Sequence, residues 1–337
     1  MGKTELSHTA EIQPEYDALL VLSFGGPEQP EEVIPFLENV LRGRNVPRQR
    51  MMAVAEHYYH FGGRSPINDQ CRALIRALEP QLDLPIYWGN RNWHPLVEDT
   101  LRRMTADGVR RALVFVTSAY SSYSACRQYL DDIERARVAI GPGAPECEKL
   151  RHYHSHPGFV EPNAAALRAA RLKAPGAPVL FTAHSIPVEM ARTSRYAEQL
   201  EETARLVAAG AGVSEYRLVY QSRSGPPAQP WLEPDILQAL KETRAAGAEA
   251  VVVSPIGFIS DHLEVLYDLD YEAGQLCADL GMKLHRAATV GTSPQFIEMI
   301  RELVEERRAG LELADPCREG CCPAPIRPGG PASPGRP

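Results

Sequence analysis

The chain alternates short apolar runs with longer amphipathic stretches. Runs bounded by Gly, Ser or Pro recur at Tyr16–Phe24, Leu84–Trp88, Ala112–Val116, Val179–Thr182, Arg217–Tyr220 and Glu249–Ile259. Their length and punctuation predict buried strands. Between them, helical spacing of apolar residues predicts helices at Pro30–Leu41, Leu96–Met104, Val188–Ala209, Pro234–Ala245 and Phe296–Glu306, the last opened by Ser293 as N-cap and Pro294 at the first helical position. Strands and helices in alternation imply an α/β protein with parallel sheets flanked by helices on both faces.

A weak internal repeat refines this picture. Asn90–Arg91, Trp93–Pro95, a helix, Gly108 and Ala112–Val116 are echoed by Ser222–Arg223, Trp231–Pro234, a helix, Gly247 and Ala250–Val253. Two similar halves facing one cleft are expected, over residues 16–160 and 161–312. A flexible N-terminus over 1–15 and a Cys-containing tail over 313–337, Pro- and Gly-rich and disordered at its end, complete the layout. In open parallel sheets the ligand lies beyond the carboxyl ends of the strands, which singles out Gly25–Gly26, Thr117–Tyr123, His184–Ser185 and Ser260–Glu264.

Composition narrows the function. With 337 residues, 44% of them hydrophobic, the chain can bury a large core. A net charge of -7 argues against nucleic-acid binding, and the one basic stretch, Arg42–Arg50, reads as a solvated loop. Met1–Tyr16 is polar and the longest apolar runs fall far short of a bilayer, so a cytoplasmic, non-transmembrane protein is expected. Of seven cysteines, Cys317, Cys321 and Cys322 crowd together, which suggests a metal rather than disulfides.

The candidate chemistry lies at the strand ends. Ser260 or Asp261 can cap a helix with Leu263, Leu266 or Tyr267, Ala273, Leu276 and Leu280 towards the core. Glu264, Asp268 and Glu272 then stack along its other side, and no Lys or Arg occurs from Asp261 to Met282. Like charges four apart cost roughly 0.2–0.5 kcal/mol per pair, and the helix dipole favours acids only in the first turn. Asp268 and Glu272 are thus unexplained by helix stability, and a cation would offset their repulsion. A solvated acidic face is the alternative.

His184 directly follows a strand, where a neutral imidazole could accept a proton or ligate a metal; a hydrogen-bonded loop histidine explains it equally well. His152, His154 and His156 would share one side of a strand, but with no carboxylate nearby in sequence a structural or surface role is expected. Tyr58, Tyr59, Phe61, Tyr120, Tyr123 and Tyr129 could wall a flat apolar ligand, or simply pack.

From Asp17 to about Arg308 these residues resemble the ferrochelatase family. The resemblance rests on Leu22–Pro27 (Leu-Ser-Phe-Gly-Gly-Pro), Phe61–Ile67, Phe181–Pro187 (Phe-Thr-Ala-His-Ser-Ile-Pro), Gln221–Pro226, Pro230–Pro234 and Ser260–Asp270 (Ser-Asp-His-Leu-Glu-Val-Leu-Tyr-Asp-Leu-Asp). It implies a chelatase-like fold of two Rossmann-like halves around a porphyrin cleft, and a lyase that inserts ferrous iron into a porphyrin in haem biosynthesis. His184 and Glu264 would be the iron-site pair, and Asp268 and Glu272 an acidic ladder leading from it. Porphyrin contacts map onto Arg50, Tyr58, Ser65 and Tyr129, and Phe24 holds a position that varies among relatives. Likeness to actinobacterial members favours coproporphyrin III over protoporphyrin IX. The resemblance further implies a 2Fe-2S cluster on Cys126, Cys317, Cys321 and Cys322, with a four-cysteine zinc site as the alternative. Competing readings are a chelatase for another metal such as cobalt, and a non-catalytic haem or porphyrin carrier. Porphyrin and iron are the expected partners, and transient contact with a membrane or a haem-pathway enzyme is compatible with them.

Overall fold

The computed structural model describes residues 15–43, 46–225, 228–311 and 320–324. Expectations for residues 1–14, for Cys317 and for the Pro-rich end fall outside them.

Two four-stranded parallel sheets organise the chain. The first contains β1 (Ala18–Ser23), β2 (Ile86–Asn90), β3 (Arg111–Val116) and β4 (Glu146–Lys149) in the order β2-β1-β3-β4. The second contains β5 (Val179–His184), β6 (Arg217–Gln221), β7 (Ala250–Ser254) and β8 (Lys283–Arg286) in the order β6-β5-β7-β8, the same topology repeated. The expected two-half α/β architecture is therefore present. Helices cover both faces, so successive residues of the central strands enter different cores. On β1, Leu19 and Val21 point into one apolar cluster, while Ala18, Leu20 and Leu22 point into another.

One core binds the halves together. It gathers Leu19, Leu74 and Phe115 from the first half with Phe159, Ala183, Leu200, Phe296 and Ile300, and the helix Pro294–Arg308 lies against both Pro157–Arg171 and Ile67–Leu78. Among the described residues no helix is long and apolar enough to cross a membrane.

The repeat is exact in topology but shifted in sequence. Ser23 pairs with Asn90, whose N–H bonds the Pro95 carbonyl at 2.7 Å; Ala183 pairs with Tyr220, whose N–H bonds the Pro234 carbonyl at 2.8 Å. Asn90 thus corresponds to Tyr220, not to Ser222, because the loop after β6 is longer than the loop after β2. By this register His184 occupies in the second half the place that Phe24 holds in the first.

Other departures have local causes. The helix expected over Val188–Ala209 is two, Val188–Arg192 and Tyr196–Gly210. Thr193 and Ser194 turn their hydroxyls back onto the carbonyls of Glu189, Met190 and Ala191 and end the first. Arg42–Arg50 is not wholly a loop, since Arg48 starts the helix Arg48–His60. Residues 151–156 form no strand, and the three histidines diverge. His154 Nε2 lies 3.0 Å from Glu202, whereas His156 Nδ1 accepts the Gly158 N–H to cap the helix Pro157–Arg171 and its Nε2 lies 3.4 Å from Glu302.

Candidate functional site

His184 is the last residue of β5, between β6 and β7, at the point where the strand order reverses and α/β sheets open a crevice. Its main chain is fixed by the Tyr196 hydroxyl, which donates to the His184 carbonyl at 2.8 Å. Its ring is oriented by Nδ1, which bonds the Ser185 carbonyl. A carbonyl oxygen only accepts, so Nδ1 carries the hydrogen and the neutral ring presents a lone pair at Nε2.

Facing that lone pair, at 3.8 Å, is Glu264 Oε1. The two side chains are 32% and 47% exposed, so a small ion reaches both from solvent or from a bound ligand. Two acceptors at this distance do not hydrogen-bond directly. Bonds of about 2.1 Å from each would span the gap, so a single divalent ion can bridge nitrogen and oxygen.

The acidic edge begins at Glu264. Capping comes neither from Ser260 nor from Asp261 but from His262, whose Nδ1 accepts the Glu264 N–H at 3.3 Å. Asp261 is engaged elsewhere, by Arg286 and Thr289. After a short turn, Leu266–Ala273 winds as a π-helix. The core positions are correspondingly Leu263, Val265, Leu269, Ala273 and Cys277, while Leu266, Tyr267, Leu276 and Leu280 are only partly buried. In an α-helix residues four apart drift by about 40° per step. The wider π winding turns less per residue and carries residues four apart the other way, so across the α and π turns the drifts offset, and the buried row 265, 269, 273, 277 and the acidic row 264, 268, 272 run side by side.

Charge pairing separates the acids into two groups. Arg286 binds Asp261 at 3.0 Å and Asp270 at 2.5 Å, neutralising the far side of the segment. Among the described residues, no Lys or Arg forms an ion pair with Glu264, Asp268 or Glu272. Asp268 instead accepts from the Ser222 hydroxyl and, at 3.3 Å, from Gln221 Nε2. Burial pushes its carboxyl up to about 7 against those donors, with the Glu264 charge adding to the rise. Glu272 is exposed, yet partial desolvation and the neighbouring charge of Asp235 also raise it.

The expected porphyrin contacts come from the facing half. Burial pushes the phenols of Tyr58, Tyr129 and Tyr196 up, and the charge of Glu264 adds to all three. Tyr58 packs edge-on against Phe36, which also meets Phe24 and Trp93, forming an aromatic wall from which Phe24 is 37% exposed. Tyr129 is buried beneath the Arg91 guanidinium, which pairs with Asp132. Ser65 is buried against Gly26, where a Cβ would come within 2.7 Å of it, and Gly25 has a left-handed φ of 82° with no room for a side chain. This explains the Gly-Gly pair after β1. Arg50 is exposed on the helix carrying Tyr58. The outer end of that helix is fastened to the π-helix by His57 stacked on Tyr267, centroids 3.7 Å apart, and by His60 on Tyr271 at 4.1 Å. A cavity of about 380 Å³ opens there, lined by Glu56, Tyr59, His60, Tyr267 and Tyr271.

Of the cysteines, Cys126 is buried in the π-helical turn Tyr123–Arg127, and Cys322, far along the chain, is buried as well. Both lie near the helix Val188–Arg192: Ser124 Oγ reaches Met190 Sδ at 3.6 Å, and the Cys322 N–H bonds the Thr193 carbonyl at 3.3 Å. Cys321 is partly exposed beside Cys322. Among the described residues no group of three or more His, Cys, Asp or Glu stands together as a metal site.

Sequence reasoning assigned no role to His262, Ser222 or Gln221, although all three lie inside the quoted motifs. Their signal was adjacency: His262 stands two residues before Glu264, and Gln221 ends the strand beside His184.

A model of the ferrochelatase family matches residues 16–308. A ferrochelatase from Rhodopirellula baltica is 53% identical, covering 96% of this chain and 98% of its own. Coproporphyrin III ferrochelatases from Nocardia farcinica and Streptomyces coelicolor are 51% and 49% identical, over 93% and 92% of this chain and 98% and 94% of theirs. Among solved structures, the sirohydrochlorin chelatase SirB from Bacillus subtilis subspecies spizizenii, in complex with cobalt, shares the fold with a TM-score of 0.55 at 12% identity, covering 88% of this chain and 97% of its own. With the His184–Glu264 pair at the switch point of a duplicated parallel sheet, and a family match spanning nearly all of both halves, the chain belongs to the ferrochelatase family.

Proposed function

We propose that this chain inserts ferrous iron into coproporphyrin III as a step of haem synthesis, and that His184 and Glu264 form the insertion site. The substrate assignment is supported by the names of relatives about half identical over most of the chain. The observation that carries the site assignment is the 3.8 Å gap between two acceptors, His184 Nε2 and Glu264 Oε1.

The chemistry requires two pyrrole N–H protons to leave as iron enters, so porphyrin and Fe²⁺ give metalloporphyrin and two protons. His184 Nε2 has the lone pair to take a pyrrole proton, and Glu264 stands beside it to stabilise the imidazolium or receive the proton. Asp268, titrating at about 7, exchanges a proton at neutral pH without a large driving force either way. Glu272, at the exposed end, opens the edge to solvent. Iron follows the same carboxylates inward, shedding water as they replace it.

The test is anaerobic turnover with purified protein. Catalytic formation of iron coproporphyrin, faster than with protoporphyrin IX, supports the proposal. Stoichiometric binding without turnover indicates a carrier instead, and preferential use of cobalt indicates a different chelatase.

The proposal extends to Cys126, Cys317, Cys321 and Cys322 as ligands of a 2Fe-2S cluster. Its support is that Ser124, two residues before Cys126, and Cys322 both reach the same short helix, at Met190 and at its cap Thr193, and the thiol donors themselves. When bound, such a group supplies a redox-active cross-link. A brown protein with visible absorbance, two iron and two sulfide per chain, and loss of both in C126S supports it; zinc in place of iron refutes it.

A further inference from the structure

We infer that Ser222, acting with Gln221, is a positioning residue for iron transfer along the acidic edge, an inference that rests on the reading of Asp268 as part of that route. The dipeptide lies where both sides of the site meet. Gln221 pairs with His184 across β5 and β6, and its carbonyl accepts the Ser185 N–H at 2.8 Å. Ser185 in turn receives the His184 Nδ1–H. In the other direction the Gln221 amide reaches the segment that carries the acids, with Nε2 at 3.3 Å from both the Glu264 carbonyl and Asp268 Oδ2.

Two costs accepted by the fold mark this dipeptide. Gln221 is 1% exposed and its Oε1 has no hydrogen-bond partner. Turning the amide over would set that oxygen against the Asp268 carboxylate and the Glu264 carbonyl, so the orientation is dictated by what the nitrogen holds. Ser222 has φ of 62°, and among the described residues only Cys322 is another non-glycine in the left-handed region. Glycine or asparagine suits such a position better. Serine adds one thing, a hydroxyl that donates to Asp268 Oδ2.

Both donors converge on the same oxygen, and no described residue donates to Asp268 Oδ1. The carboxylate is held against rotation with one oxygen engaged twice and the other open to an ion. Outer partners of this kind orient metal-binding carboxylates, and their loss typically weakens metal binding roughly 10–100-fold.

The experiment compares S222G, S222N and D268A by anaerobic initial rates, varying iron at saturating porphyrin and then the reverse. S222G relieves the backbone while deleting the hydroxyl, so its melting temperature should not fall. Its KM for iron should rise on the order of 10-fold with KM for porphyrin unchanged. S222N, which tolerates the backbone and offers an amide donor, should recover most of the loss. A native iron KM in S222G, or equal rises in both KM values, overturns the inference. If D268A itself keeps the native iron KM, the route reading fails and takes the inference with it; if D268A is impaired while S222G is not, only the positioning role falls.

Discussion

Replacing Asp268 with Asn removes one proton-binding site from the folded state without changing side-chain size. The native carboxyl is pushed from 3.8 up to about 7, so between those values the folded protein binds a proton that the unfolded chain has released. Stability contributed by the neutral form is therefore complete below about pH 4 and is lost as pH rises through 7. At about 1.4 kcal/mol per pH unit, the span corresponds to roughly 4 kcal/mol if expressed in full. Asp268 keeps part of its surface in water, which screens the cost, so about 2 kcal/mol is expected. Urea unfolding of metal-free protein in chelator, at pH 5 and pH 8.5, measures it. The window from pH 5 to 8.5 takes in about two thirds of that span, so D268N should gain on the native protein by about 1 kcal/mol between the two pH values. A difference that stays constant with pH, or a native protein that gains on the variant, would refute the reasoning.

Four further outcomes follow from the same geometry. H184A should abolish iron insertion while porphyrin titration, followed by absorbance, still saturates. E264Q should lower turnover more than E272Q, because Glu264 faces His184 at 3.8 Å whereas Glu272 sits two steps outward; the reverse order in a turnover assay would remove the ladder. R286A leaves Asp261 and Asp270 facing each other without their shared cation, and should destabilise the fold by about 1–3 kcal/mol in denaturant titration. G257A would set a Cβ 2.5 Å from the Ala183 Cα, a backbone atom that cannot step aside, and should cost about 2 kcal/mol or more and reduce turnover by displacing the strand end that carries His184.

Much of this was legible in the sequence because it depends on short-range pattern. The four central strands, β1, β3, β5 and β7, are apolar runs, as a parallel sheet covered on both faces demands, and the edge strands β2 and β6 keep enough apolar residues to be read with them. The other two edge strands, β4 and β8, carry no apolar run that a pattern could show: they are four residues long and read Glu-Cys-Glu-Lys and Lys-Leu-His-Arg, which an edge tolerates. His184 and Glu264 were found from strand-end position, acidic spacing and family motifs, but their meeting depends on β5 and β7 lying side by side, which no local pattern encodes. The π winding was equally hidden, since Leu266–Ala273 has ordinary helical composition. It altered the core row, while the cap fell to His262 because Arg286 and Thr289 hold Asp261. The Arg286 pairing of Asp261 and Asp270 was invisible for the same reason: the cation arrives from β8, 16 residues or more along the chain.

The shared core through the helix Pro294–Arg308 acts as a book's spine. Because Phe115, Phe159 and Phe296 are buried in one cluster drawn from both halves, the covers cannot part at the back without exposing it. Any widening for a tetrapyrrole must come at the fore-edge, where two imidazole–phenol contacts, His57 with Tyr267 and His60 with Tyr271, form the clasp. That clasp sits on the very turns that carry Asp268 and Glu272, so admitting the large substrate and moving the small one are mechanically joined in a single element.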